Sequence, residues 1–167
     1  MNLYLLRHGA AAKRGAPGYV NDADRPLTDE GREKLRAAAR AVKAMELKFD
    51  RILSSPCQRA RQTAEIIADS LHLAGRIEFS DHLAPDGKID ALIQQLQRFR
   101  PKPENVLLVG HEPCLSELAS ILMTGKTGLP IKLKKAGLIR LSADSLRPGA
   151  CAELDWLLTP GLMKLMR

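Results

Sequence analysis

The sequence predicts an α/β fold, a three-layer α/β/α sandwich whose central sheet is mostly parallel. Short apolar runs typical of buried strands alternate along the chain with longer segments whose apolar residues recur at helical spacing. Such alternation favours parallel strands with helices packed on both faces of the sheet. No internal repeat, linker or low-complexity tract divides the 167 residues, so we expect a single domain spanning residues 1–167.

Each element follows from a local pattern. Strands are predicted at residues 3–6, 51–53, 77–79, 106–109, 137–141 and 152–158. Thr28 is a plausible N-cap for the first helix, since Asp29 and Glu30 would lie in its first turn. Ser55 is predicted as the N-cap of the second helix, because the Pro56 that follows it suits the first helical position. Further helices are expected at residues 89–99 and from Pro113 onward, while residues 10–25 predict a long loop.

Composition excludes several classes of protein. No apolar run reaches the ~18 residues of a membrane helix, and no basic leader precedes the first strand. Three widely spaced cysteines favour reduced thiols and a cytoplasmic location. The net charge of +7 suits an anionic partner, but an aromatic content of 4% argues against a surface that stacks nucleic-acid bases. The densest basic group, Lys132, Lys134 and Lys135, predicts a solvated face.

Polar residues with a common chemistry follow three of the predicted strands. The first strand ends at Arg7 and His8, the second leads through residues 54–56 to Arg59, and the fourth leads to His111. The carboxyl ends of parallel strands form the crevice in which open α/β sheets bind ligands. Arginine binds phosphate oxygens with a planar fork of donors, and neutral histidine is a nucleophile. The sequence therefore predicts a phosphate site that contains a nucleophile.

The chain resembles the histidine phosphatase superfamily, with its phosphoglycerate-mutase-like fold, and within it the small SixA-type phosphohistidine phosphatases. The residues that carry the resemblance are Leu6-Arg7-His8-Gly9, Arg25-Pro26-Leu27-Thr28 with Gly31, Ser54 through Ala64, Leu83-Ala84-Pro85-Asp86-Gly87 and Val109-Gly110-His111-Glu112-Pro113. They occur in the family's order between residues 1 and 113, and the short chain suits a minimal version of the fold without large insertions. From residue 124 onward the match is loose, and that segment is expected to complete the sheet.

The resemblance implies a role for each of the four cationic residues. His8 would attack phosphorus and become phosphorylated, with its other ring nitrogen held by a backbone acceptor. Arg7 and Arg59 would clamp the phosphoryl oxygens. His111, protonated beside the phosphate dianion, would stabilise the transition state. The resemblance implies no metal and no cofactor, because the cationic pocket replaces a metal clamp.

A general acid is less well defined by the sequence. Larger members of the family use an acidic residue for this purpose, and the corresponding segment here is 80–87, with Asp81, His82 and Asp86 as candidates. Asp86 lies in a Pro-Asp-Gly triplet, which is first of all a turn. Imidazole, with a pKa near ~6.5, needs less help to leave than an alkoxide. A pocket without a dedicated acid therefore favours phosphohistidine as the substrate.

Three functions remain open on this basis. The favoured one is a phosphohistidine phosphatase acting on a phosphorylated protein, such as a histidine phosphotransfer domain. A small-molecule phosphomonoesterase of the same fold is the alternative enzyme, and a non-catalytic phosphate-binding module is the third reading. We expect a signalling protein that is a monomer and has neither nucleic acid nor a membrane as partner.

Two features of the loop at residues 10–25 are also relevant. Asp22 and Asp24 either pair with the cationic pocket or are solvated, and the sequence does not decide between these states. Residues 10–20 carry few polar side chains that could contact phosphate, and they predict a mobile rim that admits a protein-borne phosphohistidine.

Overall fold

Six strands and five helices form the fold in the computed structural model, which describes residues 1–147 and 149–166. The strands are β1 (Asn2–Arg7), β2 (Arg51–Ser54), β3 (Ile77–Phe79), β4 (Asn105–Gly110), β5 (Leu138–Ser142) and β6 (Glu153–Leu158). The helices are α1 (Asp29–Ala44), α2 (Gln58–Ser70), α3 (Ile89–Gln97), α4 (Cys114–Thr124) and the short α5 (Pro160–Met163). Single 3-10 turns lie at Asp22–Asp24, Ala74–Arg76 and Asp81–Leu83.

The sheet has the order β3-β2-β4-β1-β5-β6. Strands β1 to β4 pair in parallel, whereas β5 runs antiparallel to both of its neighbours, β1 and β6. Arg7 pairs with Gly110, and Ser54 pairs with Val109. The carboxyl ends of β1, β2 and β4 therefore lie side by side at one edge of the sheet, as the sequence predicts.

Two apolar clusters occupy the two faces of the sheet. Because successive side chains of a strand point to opposite faces, Leu3 and Leu5 of β1 join one cluster while Tyr4 and Leu6 join the other. Buried residues of α3 and α4 pack in the first cluster, and those of α1 and α2, with Met163 of α5, pack in the second. This arrangement confirms the three-layer sandwich.

The start of α2 differs from the prediction. The Ser55 hydroxyl accepts a hydrogen bond from the Cys57 backbone N–H at 3.2 Å, which forms a turn rather than a helix cap. Cys57 occupies the N-cap position and the helix begins at Gln58, so Pro56 lies outside it. Arg59 still lies in the first turn. The prediction of Ser55 as N-cap is wrong because its side chain serves the turn.

In the described part of the chain, no helix combines the length and apolar character needed to cross a bilayer. The segment that the motifs match loosely supplies β5 and β6, which complete one side of the sheet.

Candidate active site

The edge formed by β1, β2 and β4 brings together the histidines and arginines that the sequence singles out. His8 follows β1 and His111 follows β4, and their ring centroids are 4.8 Å apart. His8, His111 and Arg59 are all buried, with relative exposures of 8%, 2% and 3%. The structure thus brings His8, His111, Arg59 and Arg7 to one edge of the sheet. Their chemical roles stay predictions.

His8 is held in one orientation by its neighbour in the chain. Its Nδ1 lies 2.7 Å from the Gly9 carbonyl oxygen, so Nδ1 carries the proton and Nε2 keeps a free lone pair. Burial lowers the pKa of His8 to about 4, and the charges of Arg59, Arg7 and Lys135 also lower it, against the opposing effect of the Gly9 hydrogen bond. His8 is therefore neutral at pH 7.

The Gly9 backbone is fixed in turn by Thr63 of α2. The Gly9 N–H donates to the Thr63 hydroxyl at 3.2 Å, and this hydroxyl donates to the Arg59 carbonyl oxygen at 2.7 Å. Thr63 is fully buried. No role for Thr63 was predicted, although a hydroxyl four residues after Arg59 on a helix was a signal that it could reach that carbonyl.

His111 contacts Ser55, for which only a helix cap was predicted. Its Nε2 lies 2.9 Å from the Ser55 hydroxyl, which is fully buried. Burial lowers the pKa of His111 to about 3, and its electrostatic interactions with His8 and Arg59 lower it as well. The protein alone thus keeps His111 neutral at pH 7, so its expected protonated state would depend on a bound dianion.

Both arginines of the site are anchored but keep unused donors. Arg7 Nη1 donates to the Leu133 carbonyl oxygen at 2.8 Å, and Arg59 Nη2 donates to Asp22 Oδ2 at 2.9 Å. The Nε groups of both arginines are buried and find no acceptor among the described residues. A buried donor without a partner costs free energy, on the order of 1–3 kcal/mol, and an oxyanion would supply the missing acceptor.

Asp22 answers the question that the sequence left open, because it pairs with the cationic pocket. Its carboxylate accepts hydrogen bonds from Arg14 and Arg25, both at 3.0 Å, in addition to the one from Arg59. Burial tends to raise the pKa of Asp22, but the Arg14 hydrogen bond and the charges of Arg59 and Arg25 outweigh it and lower the pKa. Asp24 instead is exposed and accepts a hydrogen bond from Asn21.

Comparison with known proteins identifies the family of this chain. The sequence model of the histidine phosphatase superfamily (branch 1) matches residues 3–84. The chain is also 41% identical over 148 residues to an uncharacterized protein of Picosynechococcus sp., with 88% of each chain covered. This chain belongs to the histidine phosphatase superfamily.

Within that superfamily the chain is similar to SixA proteins. It is 29% identical over 168 residues to the phosphohistidine phosphatase SixA of Escherichia coli (strain K12), which covers 100% of this chain and 99% of the relative. The solved structure of the protein histidine phosphatase SixA complexed with tungstate matches with a TM-score of 0.83 at 28% identity, covering 96% of this chain and 98% of that one. These similarities support phosphatase activity and confirm the phosphoglycerate-mutase-like fold.

The candidate general acids of this histidine phosphatase lie on the segment after β3. The Leu83 carbonyl approaches Gly110, the residue before His111, so the segment packs against the end of β4. His82 is half-buried, while Asp81 and Asp86 are exposed. The Gly87 N–H donates to the Ala84 carbonyl oxygen at 2.9 Å, which confirms the turn at Pro85-Asp86.

None of the three candidate side chains makes a hydrogen bond to another residue in the described ranges. Their assignment as general acid, for Asp86 and His82 in particular, stays a prediction.

The lysine-rich segment before β5 lies directly beside the site. The Ala136 N–H donates to the carbonyl oxygens of Arg7 at 3.0 Å and His8 at 3.2 Å, and the Gly137 carbonyl oxygen accepts from the Arg7 N–H at 3.1 Å. Lys132, Lys134 and Lys135 are exposed, as predicted. The position of this segment beside the end of β1 was missed, because the sequence does not reveal that β5 pairs with β1.

Proposed function

We propose that this protein is a phosphohistidine phosphatase in which His8 is the nucleophile. The hydrogen bond from His8 Nδ1 to the Gly9 carbonyl carries this proposal. It leaves the Nε2 lone pair of a neutral, buried imidazole beside His111 and two arginines with unused donors. A nucleophile of this kind needs no base to deprotonate it at pH 7.

The reaction divides into two transfers of one phosphoryl group. His8 Nε2 forms a bond to phosphorus while the bond from phosphorus to the leaving nitrogen of the substrate breaks. That imidazole keeps the electron pair and takes up a proton from solvent, and the water that attacks in the second transfer returns a proton to solvent. A water molecule then attacks the phosphohistidine at His8, which releases orthophosphate and restores neutral His8. Arg7 and Arg59 hold the phosphoryl oxygens, and His111 donates a hydrogen bond to them as negative charge shifts.

The protonation state of Asp22 favours phosphohistidine over an alkyl phosphate. Asp22 is the carboxyl bonded to Arg59, and its lowered pKa keeps it ionised, so it has no proton to donate at pH 7. Loss of an alkoxide would require such a proton, whereas imidazole leaves with less help. The similarity to SixA, whose name describes a phosphohistidine phosphatase, supports the same substrate class.

A phosphorylated protein is the proposed carrier of the phosphohistidine, with a histidine phosphotransfer domain as the model substrate. A small-molecule phosphomonoesterase is the alternative, and an active acid at Asp86 or His82 would favour it. A phosphate-binding module without turnover would have no use for a nucleophile oriented as His8 is.

The test compares His8→Asn with His72→Asn, a matched substitution at an exposed histidine that follows α2. Each protein is mixed with a phosphotransfer domain labelled with ³²P on its histidine, and with a panel of alkyl phosphates. We expect His8→Asn to lose at least about 10³-fold in kcat/KM and to take up no label, whereas His72→Asn retains the activity of the wild type.

Two results would contradict the proposal. If the wild type turns over alkyl phosphates as fast as the phosphotransfer domain, or faster, it is a phosphomonoesterase. Lower turnover of those esters by Asp86→Asn or His82→Gln would then identify its acid. Unchanged activity in His8→Asn would show that another group attacks phosphorus.

A further inference from the structure

The three lysines that precede β5 form an exposed basic rim, defined as Lys132, Lys134 and Lys135. The backbone within and just after this segment is held against the end of β1, since the Leu133 carbonyl oxygen accepts from Arg7 and the Ala136 N–H donates to the carbonyl oxygens of Arg7 and His8. The basic rim is therefore a rigid part of the site's edge.

The lysines of the basic rim have no acidic partner in the protein. Across residues 1–147 and 149–166, none of the three takes part in an ion pair or a side-chain hydrogen bond. Some charges elsewhere on the surface are paired, for example Arg61 with Glu65 and Lys34 with Glu30. Unpaired positive charge concentrated at one side of a site is suited to attracting an external anion.

Charge is distributed unevenly around the site. Asp81, Asp86 and Glu112 follow β3 and β4, and the basic rim lies beyond β1 on the β5 side, so the end of β1 with His8 lies between acidic and basic groups. Lys135 is close enough for its charge to contribute to the lowered pKa of His8. A protein approaching His8 thus meets the positive charge of the basic rim on the β5 side.

We propose that the basic rim docks an acidic surface of the phosphoprotein substrate, next to the phosphohistidine that enters the site. This inference rests on the proposed function and specifies the partner as a protein with carboxylates flanking its phosphohistidine on one side. Opposite charges across a rim act mainly on the rate of encounter and on the orientation of docking, and the effect is screened over about 8 Å at physiological salt. Phosphoramidate is too small to reach the basic rim from the site, so its turnover depends less on the rim.

The test compares two double variants with the same change in net charge. K132E/K134E reverses two charges of the basic rim and leaves Lys135, whose charge acts on His8. K43E/K48E reverses two exposed lysines at the opposite edge of the sheet, Lys43 in the last turn of α1 and Lys48 between α1 and β2. Neither lysine takes part in an ion pair within residues 1–147 and 149–166. The substrates are a phosphotransfer domain carrying phosphohistidine with flanking carboxylates, the same domain with those carboxylates changed to lysine, and phosphoramidate.

We expect K132E/K134E to lower kcat/KM on the acidic domain at least about tenfold more than on phosphoramidate at low salt, with the difference shrinking at 0.5 M salt. The lysine-bearing domain should be turned over better by K132E/K134E than by the wild type. K43E/K48E should show neither effect. If the reversed variant folds poorly, K132Q/K134Q should give a smaller loss in the same direction.

Four results would overturn the inference. Equal losses of kcat/KM on the acidic domain in the two double variants would show that net charge, and not the basic rim, causes the effect. Inhibition of the wild type by duplex DNA, without any dependence on the domain's carboxylates, would identify a nucleic-acid surface. If the wild type hydrolyses phosphate esters but not the phosphotransfer domain, the proposed function and the inference are both overturned. If K132E/K134E has the same kcat/KM on the acidic domain as the wild type, the inference alone is overturned.

Discussion

The character of the site depends on two histidines that the fold keeps neutral. His8 is oriented by the Gly9 carbonyl and His111 lies against the Ser55 hydroxyl, and burial is the largest cause of the lowered pKa of each. A nucleophile must be unprotonated before it attacks, and the depressed pKa of His8 extends that state to acidic pH.

The tautomer of His8 can be measured directly. We expect ¹⁵N-detected NMR to show a neutral His8 ring with the proton on Nδ1, and to show little protonation of this ring above pH 5, because its pKa is about 4. Free imidazole in the same sample reports the pH response of an ordinary ring, and His8→Asn assigns the signal. A ring that titrates with free imidazole, or that carries its proton on Nε2, would contradict the structural basis of the nucleophile.

At the level of single residues, the sequence predicted the two histidines and two arginines of the site because each follows a strand whose apolar pattern is clear. Asp22 could not be resolved in this way. Its pairing with Arg59 joins residues 37 positions apart, and a loop of mostly small residues contains no periodicity that would indicate the contact. Ser55 was assigned to a helix cap because Ser-Pro is typical of helix starts, whereas its hydroxyl serves the turn and lies against His111.

At the level of elements, the start of α1 holds the loop that follows His8. Thr28 caps the helix by accepting a hydrogen bond from the Gly31 N–H at 3.1 Å, and the Thr28 N–H donates to the Ala10 carbonyl oxygen at 2.9 Å. The sequence predicted the cap but not this second contact. The loop between His8 and α1 is therefore fixed at a point two residues beyond the nucleophile.

Gly31 is the position at which this junction is most sensitive. A Cβ there would overlap the Ala10 carbonyl oxygen, which cannot move freely because it accepts from Thr28. We expect Gly31→Ala to lower the free energy of unfolding by about 1–3 kcal/mol, although alanine favours helices over glycine by up to about 1 kcal/mol. Urea denaturation measures the change, and phosphoramidate turnover should fall as well because the Gly9 carbonyl would shift.

Glu33→Ala on the exposed side of the same helix is the matched control, and its stability should change by less than about 0.5 kcal/mol. A higher free energy of unfolding in Gly31→Ala would show that the loop after His8 can move. The close approach of the Ala10 carbonyl oxygen to Gly31 would then not explain how this loop is held.

At the level of the whole molecule, the alternation of strands and helices was sufficient to predict the layered fold and its mostly parallel sheet. The order of the strands was not predictable from this pattern, because pairing between β1 and β4 or between β1 and β5 joins distant parts of the chain. The position of the basic rim follows from that order, since the antiparallel β5 brings the segment before it to the end of β1. A local pattern could indicate that the lysines are exposed, but not that they lie beside the end of β1.

The stability of the whole molecule should fall as the pH is lowered from 7 to 5. An unfolded histidine takes up a proton near pH 6.5, whereas folded His8 and His111 remain neutral until about pH 4 and about pH 3. Within this range the unfolded state binds more protons, so each unit of lower pH favours it. We expect the two histidines together to reduce the free energy of unfolding by about 2–4 kcal/mol between pH 7 and pH 5.

Urea denaturation at half-unit steps of pH measures this slope in the wild type and in His8→Asn/His111→Gln. The double variant should show a shallower slope, because two groups that bind protons in the unfolded state alone are gone. Equal slopes in the wild type and the double variant would mean that folding does not hold these rings neutral. The lone pair on His8 would then depend on solution pH, and the protein would lose its advantage over free imidazole in acid.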